Sequence, residues 1–233
     1  MVQILNAPPK PFSWSFSHVD NFETCGRKYY HQTVAKTVSD NTSYRDQGGA
    51  VHDFMAEALR GKPLPPHAKH WQRWIDEFND GVVFPERKMA FTEKAEPCEY
   101  FDKKKKVWCR VVIDALKFRN YCAVIWDWKT GNIKINDDQL LLYALAVFIN
   151  HPKVHDCDAS FVFLKEDTGP TVPRNDCIYT AHITRKDTQD WWPDYLVRVR
   201  NLERAIRTNE FQPRSSGLCR KHCAVQSCEH YGQ

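Results

Sequence analysis

The stretch AVIWDWKTG, residues 123–131, sets two charges into a run of strand-forming residues. Val124, Ile125, Trp126 and Trp128 suit a half-buried pleated surface. Successive strand side chains alternate between faces, so Asp127 and Lys129 share one. Aspartate and lysine are seldom fully buried unless paired. A surface ion pair on an edge strand satisfies that pattern. A site whose chemistry needs both signs of charge also satisfies it, and the preceding strand decides between them.

KVWCRVVIDALKF (106–118) and YCAVIWDWK (121–129) read as the two arms of a hairpin with Arg119 and Asn120 as its loop. Phe118 then faces Tyr121, and Asp114 faces Ile125. Asp127 lies two residues further on, diagonal to Asp114 on the same face, roughly 7–8 Å away between α-carbons. Two carboxylates and an ammonium on one face of a mostly apolar hairpin are costly without compensation. A hard divalent cation with oxygen ligands supplies it. Lys129 beside such an ion can orient a water or stabilise charge on a phosphate, which is the arrangement for metal-assisted phosphodiester hydrolysis.

The rest of the chain frames that hairpin. Its 233 residues are 42% hydrophobic and 13% aromatic, enough for one domain with a real core. The formal net charge of +4 permits a polyanionic partner without requiring one. No apolar run is long enough to span a membrane, and the N-terminus lacks the pattern of a secretion signal. The expected compartment is therefore the cytoplasm, the host's if the chain is viral. Nine cysteines in an unsecreted chain suggest thiols or metal ligands rather than a disulfide framework.

Helices are expected over 17–32, 46–61, 67–81, 135–150 and 185–210, with Pro193 as a kink or restart in the last. Strands are expected at 88–93, 97–102, 106–118, 121–129, 159–165 and 176–183. The lysines at 103–106 cap a hairpin as a solvated turn that could also touch phosphates. This order predicts one α/β domain over 1–233 with a small mixed central sheet flanked by helices. Its parts are an N-terminal helical region at 12–61, a catalytic core at 86–184 and a long helix with a tail at 185–233.

Asp114 followed by Asp127-Trp128-Lys129 resembles the D…(D/E)xK signature of the PD-(D/E)XK nuclease superfamily. GGAVHDFMAEAL resembles the helix that carries an upstream histidine in its RecB-like branch. QLLLY, Gln139 to Tyr143, resembles that branch's QxxxY motif, and SHVDNFETCGRKYY resembles its first helix. The resemblance spans residues 17–146 in the expected order, and the tail cysteines extend it to 228. It implies a restriction-endonuclease-like core and a metal-dependent DNA nuclease, an exonuclease in recombination, repair or viral DNA processing. It also implies DNA as substrate and a recombination or helicase protein as partner. His52, Asp114 and Asp127, with the Trp128 carbonyl, would ligate magnesium or manganese. Asp114, Asp127 and Lys129 would be catalytic, Lys129 positioning the water, while Gln139 and Tyr143, one helical turn apart, would contact substrate and brace the site. Glu86 cannot be aligned with the acidic residue some relatives use upstream and stays outside the metal set. A non-catalytic DNA- or partner-binding module on the same fold is the alternative function.

Cys219, Cys223 and Cys228 form C-x3-C-x4-C in a tail with too few apolar residues to fold alone. Cys25 stands far upstream. The resemblance joins the four as a clasp around a [4Fe–4S] cluster, as in CRISPR-associated spacer-acquisition and recombination nucleases of this branch. The spacing departs from C-x2-C-x5-C; zinc, with His222 and His230 as further ligands, and thiols without a metal are the alternatives. Cys98, Cys109, Cys122, Cys157 and Cys177 lie in strand-like stretches and read as core or half-buried thiols.

Overall fold

The apolar runs between residues 83 and 184 pair into a single sheet. Its strands are β1 (Val83–Phe91), β2 (Pro97–Cys98), β3 (Cys109–Arg119), β4 (Cys122–Lys129), β5 (Asp156–Phe163) and β6 (Ile178–Thr184). The computed structural model describes residues 12–39, 42–169 and 171–233; residues 1–11 of the expected domain lie outside that range. The strand order is β2-β1-β3-β4-β5-β6. All neighbours are antiparallel except β4 and β5, which are parallel. A parallel pair needs a crossover, and α5 (Asp137–Asn150) supplies it.

Helices cover both faces, which gives the expected mixed α/β architecture. On one side, α1 (Phe16–Thr24), α2 (Gly26–Tyr29), α5 and α6 (Arg185–Thr208) bury Val19, Tyr29, Leu142, Val147, Val199 and Leu202 against Ile113, Leu116 and Ile125. On the other, α3 (Thr42–Leu59) and α4 (Gln72–Phe78) bury Met55, Trp74 and Phe78 against Ala115, Trp126 and Trp128. Gly48 brings α3 close to the end of β4: a Cβ there would stand 3.3 Å from Thr130 Oγ1.

The hairpin turn falls one residue later than expected. Arg119 pairs with Cys122, so Asn120 and Tyr121 form the loop. Asn120 adopts φ +55°, a left-handed conformation that asparagine tolerates better than arginine. The same register carries Asp114 opposite Asp127 rather than opposite Ile125. Across the other edge of β3, Pro85 pairs with Ala115 and Arg87 with Ile113, which leaves Glu86 opposite Asp114. Glu86 takes φ +52°. The inward-facing set changes from Phe84 and Leu116 on one side of that point to Met89, Phe91, Val111 and Ile113 on the other. The period of two resets at Glu86 and Asp114, and their side chains leave the regular alternation.

Other expectations change locally. The first helix breaks at Cys25, whose backbone is extended (φ −167°, ψ 112°). Residues 67–81 divide into a 3-10 turn, Pro66–Trp71, and α4. The strand expected at 97–102 shrinks to two residues, because Asp102 Oδ1 accepts the backbone N–H groups of Lys104 and Lys105 and organises a loop there. α6 runs unbroken through Pro193, held by buried Thr188 before it and by Tyr195, Val199 and Leu202 after it. A seventh short helix, α7 (Leu218–Lys221), lies in the tail.

Candidate active site

At the reset point, β3 stops pairing with β4 beyond Ala115 and Trp126. The Asp114 side chain takes over: its Oδ2 accepts the backbone N–H of Trp128 at 2.8 Å. The same oxygen lies 3.1 Å from Nδ1 of His52 on α3. The Trp128 ring is buried in the opposite core layer, so only its backbone is available to the site.

Burial of the His52 imidazole opposes its charge, but the Asp114 hydrogen bond and the charges of Asp114, Asp127 and Glu86 prevail and raise its pKa. Glu86 itself is raised, first by burial and then by the neighbouring Asp114 charge. His52, Glu86 and Asp114 each bring a ligand atom within 4.8 Å of the other two. Two oxygens and a nitrogen in that arrangement suit a divalent cation.

Asp127 stands beside this group, buried, on the strand that carries Lys129. Its Oδ1 accepts hydrogen bonds from Gln139 Nε2 at 2.9 Å and from Tyr143 Oη at 2.8 Å. Its Oδ2 lies 2.6 Å from Lys129 Nζ yet has no well-directed hydrogen bond. Desolvation raises the Asp127 pKa, Asp114 adds to the rise, and Lys129 opposes it. Lys129 Nζ donates to Gln139 Oε1 at 2.9 Å and lies 4.7 Å from the Phe161 ring centroid. Gln139 Nε2 donates to Tyr143 Oη at 2.7 Å. Gln139 and Tyr143 reach the site because Asn136 caps α5 and starts the helix immediately before them.

Glu86 is the residue that sequence reading left out. Pro85 and the left-handed Glu86 interrupt the strand pattern, so the strand was expected to begin only at residue 88. The position opposite Asp114 was the available signal, but the long connection between β1 and β3 hid the register.

The four cysteines Cys25, Cys219, Cys223 and Cys228 line one cavity, with Arg27, Lys28, Arg214 and His230 around it. Cys25 Sγ accepts the Arg214 backbone N–H at 3.4 Å, and Cys219 Sγ that of Ser216 at 3.4 Å. The tail docks because Gly26 leaves room: a Cβ there would meet Gln212 O at 2.9 Å. Arg27 N–H donates to that same oxygen at 3.2 Å. No three of the sulfurs lie within 4.8 Å of one another among the described residues. The other five cysteines are unpaired and buried or half-buried, as core thiols.

Among the described residues, no helix is long and apolar enough to cross a membrane. No curated protein sequence matches this chain significantly. Among solved structures, a Eubacterium rectale protein described as a "putative exonuclease" is similar, with a TM-score of 0.56 and 11% identity over 87% of this chain and 85% of that one. The structure of SSO0001 matches at a TM-score of 0.45, with 12% identity over 97% and 89% of the two chains. The first of these likenesses concerns the fold alone. The family model of the PD-(D/E)XK nuclease superfamily matches residues 13–120 and 110–228, nearly the whole described chain, and the chain belongs to that superfamily.

Proposed function

We propose that this chain is a divalent-metal-dependent deoxyribonuclease that acts as an exonuclease in recombination, repair or viral DNA processing, alongside a recombination or helicase protein. The observation that carries the reading is the junction of two clusters at one strand break. His52, Glu86 and Asp114 form the first. Asp127, Lys129, Gln139 and Tyr143 form the second. The buried Asp127 Oδ2 without a directed hydrogen bond is a position that a bound cation would satisfy.

His52, Glu86, Asp114 and Asp127, with the Trp128 carbonyl, would hold magnesium or manganese. When bound, the ion supplies Lewis-acid stabilisation of phosphate charge and makes a nearby water more acidic. Gln139 Oε1 accepts one N–H of the Lys129 ammonium, and the Asp127 charge draws a second to its side without a directed bond. The remaining N–H can orient the attacking water or meet a phosphate oxygen. In hydrolysis the water oxygen bonds to phosphorus as the ester P–O bond breaks, and the leaving oxygen takes up a proton. Tyr143 and Gln139 keep the Asp127 carboxylate fixed through that change. An intact lysine with both aspartates favours this reading over a non-catalytic module.

The four cysteines would hold a [4Fe–4S] cluster, with zinc as the alternative. Either group would draw on the four thiols that line the one cavity. Its role would be to tie α1 and α2 to the C-terminal tail.

End-labelled single- and double-stranded DNA incubated with anaerobically purified protein and magnesium or manganese tests the reading. Cleavage is expected with either ion and not in EDTA. Lys129→Ala should cut at least about 100-fold more slowly while still binding DNA, the scale of losing one transition-state contact. A Lys129→Ala protein cutting at the wild-type rate would overturn the mechanism.

A further inference from the structure

A second feature lies next to the active site and is absorbed by none of that chemistry. One cleft, lined by Ser15, Ser17, Tyr100 and Arg110, reaches Gln139 and Tyr143. A neighbouring cleft is lined by Ser13, Arg110 and Lys103 to Lys106. Arg110 belongs to both, so the two clefts adjoin and lead from the Asp127 network to the lysine loop.

The loop is built rather than loose. Asp102 Oδ1 accepts the N–H groups of Lys104 at 2.7 Å and Lys105 at 2.8 Å, and Lys105 Nζ donates to Pro97 O at 2.9 Å. Arg110 Nε donates to Tyr100 O at 2.8 Å, and its Nη1 is bonded to Ser13 Oγ. The lysines are exposed, and among the described residues no carboxylate pairs with the ammonium of Lys103, Lys104 or Lys106. A chain of only +4 formal charge thus concentrates four lysines and an arginine at one mouth.

Phe101 stands among these cations 71% exposed. Lys88 Nζ lies 5.9 Å and the Arg110 guanidinium 5.7 Å from its ring centroid, and Tyr100 meets it edge-on at 4.9 Å. An aromatic face held open beside backbone-directed positive charge is the combination that grips unpaired nucleic acid: bases stack on the ring while lysines meet phosphates. A duplex keeps its base faces stacked internally and cannot use the ring in that way.

We propose that the loop from Glu99 to Lys106, with Arg110, is a single-strand binding platform that receives the unpaired end of the nucleic acid and leads it along the cleft to Asp127. This deepens the nuclease reading and rests on it for the direction of travel.

The test measures binding of a fluorescein-labelled 20-nucleotide oligodeoxythymidine in EDTA across a salt series. The triple variant Lys103→Gln/Lys104→Gln/Lys106→Gln, which retains Lys105, should flatten the plot of log affinity against log salt by about 2, at about 0.7 per lost single-strand contact. Phe101→Ala should weaken binding by about 5- to 150-fold with the slope unchanged, the range for one stacked base. Both variants should hydrolyse bis(p-nitrophenyl) phosphate with manganese at the wild-type rate, because neither alters the active site. A wild-type slope in the triple variant would overturn the platform, as would equal losses on a blunt 20-base-pair duplex. DNA cleavage persisting beside that wild-type slope would leave the nuclease reading standing. Loop-dependent binding by a wild-type protein that cuts nothing would support the platform and remove the nuclease reading.

Discussion

The carboxylate of Asp114 accepts the backbone N–H of Trp128 at 2.8 Å, where β3 has ceased to pair with β4. One side chain therefore closes the end of the ladder and faces His52 with the same oxygen. Structure and chemistry meet in that group, and substitution can separate them. Asp114→Asn keeps an oxygen for the Trp128 N–H but loses the charge. It should fold like the wild type while cutting DNA at least about 100-fold more slowly, on the scale of removing a transition-state contact. Asp114→Ala also leaves the N–H unpaired and should cost about a further 1–3 kcal/mol of stability. Urea unfolding of both variants, beside cleavage rates, checks the division.

Tyr143 acts on Asp127 through a single hydroxyl at 2.8 Å. Tyr143→Phe preserves the packing of α5 and the Gln139–Asp127 bond while removing the hydroxyl that Gln139 Nε2 also meets. The cleavage rate should fall by about 10- to 150-fold, corresponding to a hydrogen bond to a charged group of about 1.5–3 kcal/mol. Single-turnover rates at saturating magnesium measure it. A fall confined to KM would assign Tyr143 to substrate binding alone.

Glu86 carries a raised pKa because burial and the Asp114 charge disfavour its ionised form. The folded, metal-free protein therefore holds this proton more tightly than the unfolded chain. The associated stability is present below the ordinary glutamate value of 4.5 and is lost as pH rises through the folded value. Glu86→Gln removes that loss. In EDTA at neutral pH it should raise the unfolding midpoint, because the buried charge is gone. Manganese should then stabilise the wild type more than the variant, and calorimetry with and without the ion measures both effects.

Gly26 is the point where the tail rests on the start of α2. A Cβ there would lie 2.9 Å from the Gln212 carbonyl oxygen, closer than real contacts allow. Gly26→Ala should displace residues 211–214 and separate Cys25 from Cys219, Cys223 and Cys228. Anaerobically purified wild-type protein should be brown, with broad absorbance near about 400 nm from a thiolate-bound iron–sulfur cluster. The variant should carry less iron per chain. Colourless wild-type protein with stoichiometric zinc would keep the clasp and replace the cluster.

Local sequence determined much of this protein. The period of two in AVIWDWKTG set Asp127 and Lys129 on one face, and the spacing of Gln139 and Tyr143 set them on one helical turn, because each relation lies within a single element. The mixed sheet followed from the order of those elements. Tertiary structure decided what depends on register between distant segments. Asn120, rather than Arg119, accepted the left-handed turn position, and that choice brought Asp114 directly opposite Asp127. Glu86 joined the site because β1 pairs with β3 across the connection at 92–108, where no turn chemistry announces the register. Cys25 reached the tail only because Gly26 and Gln212 pack together, a contact between segments nearly two hundred residues apart that neither segment specifies alone. Periodicity acts within an element and is written in it. Register and docking arise from the packing of two elements and appear only when both are in place.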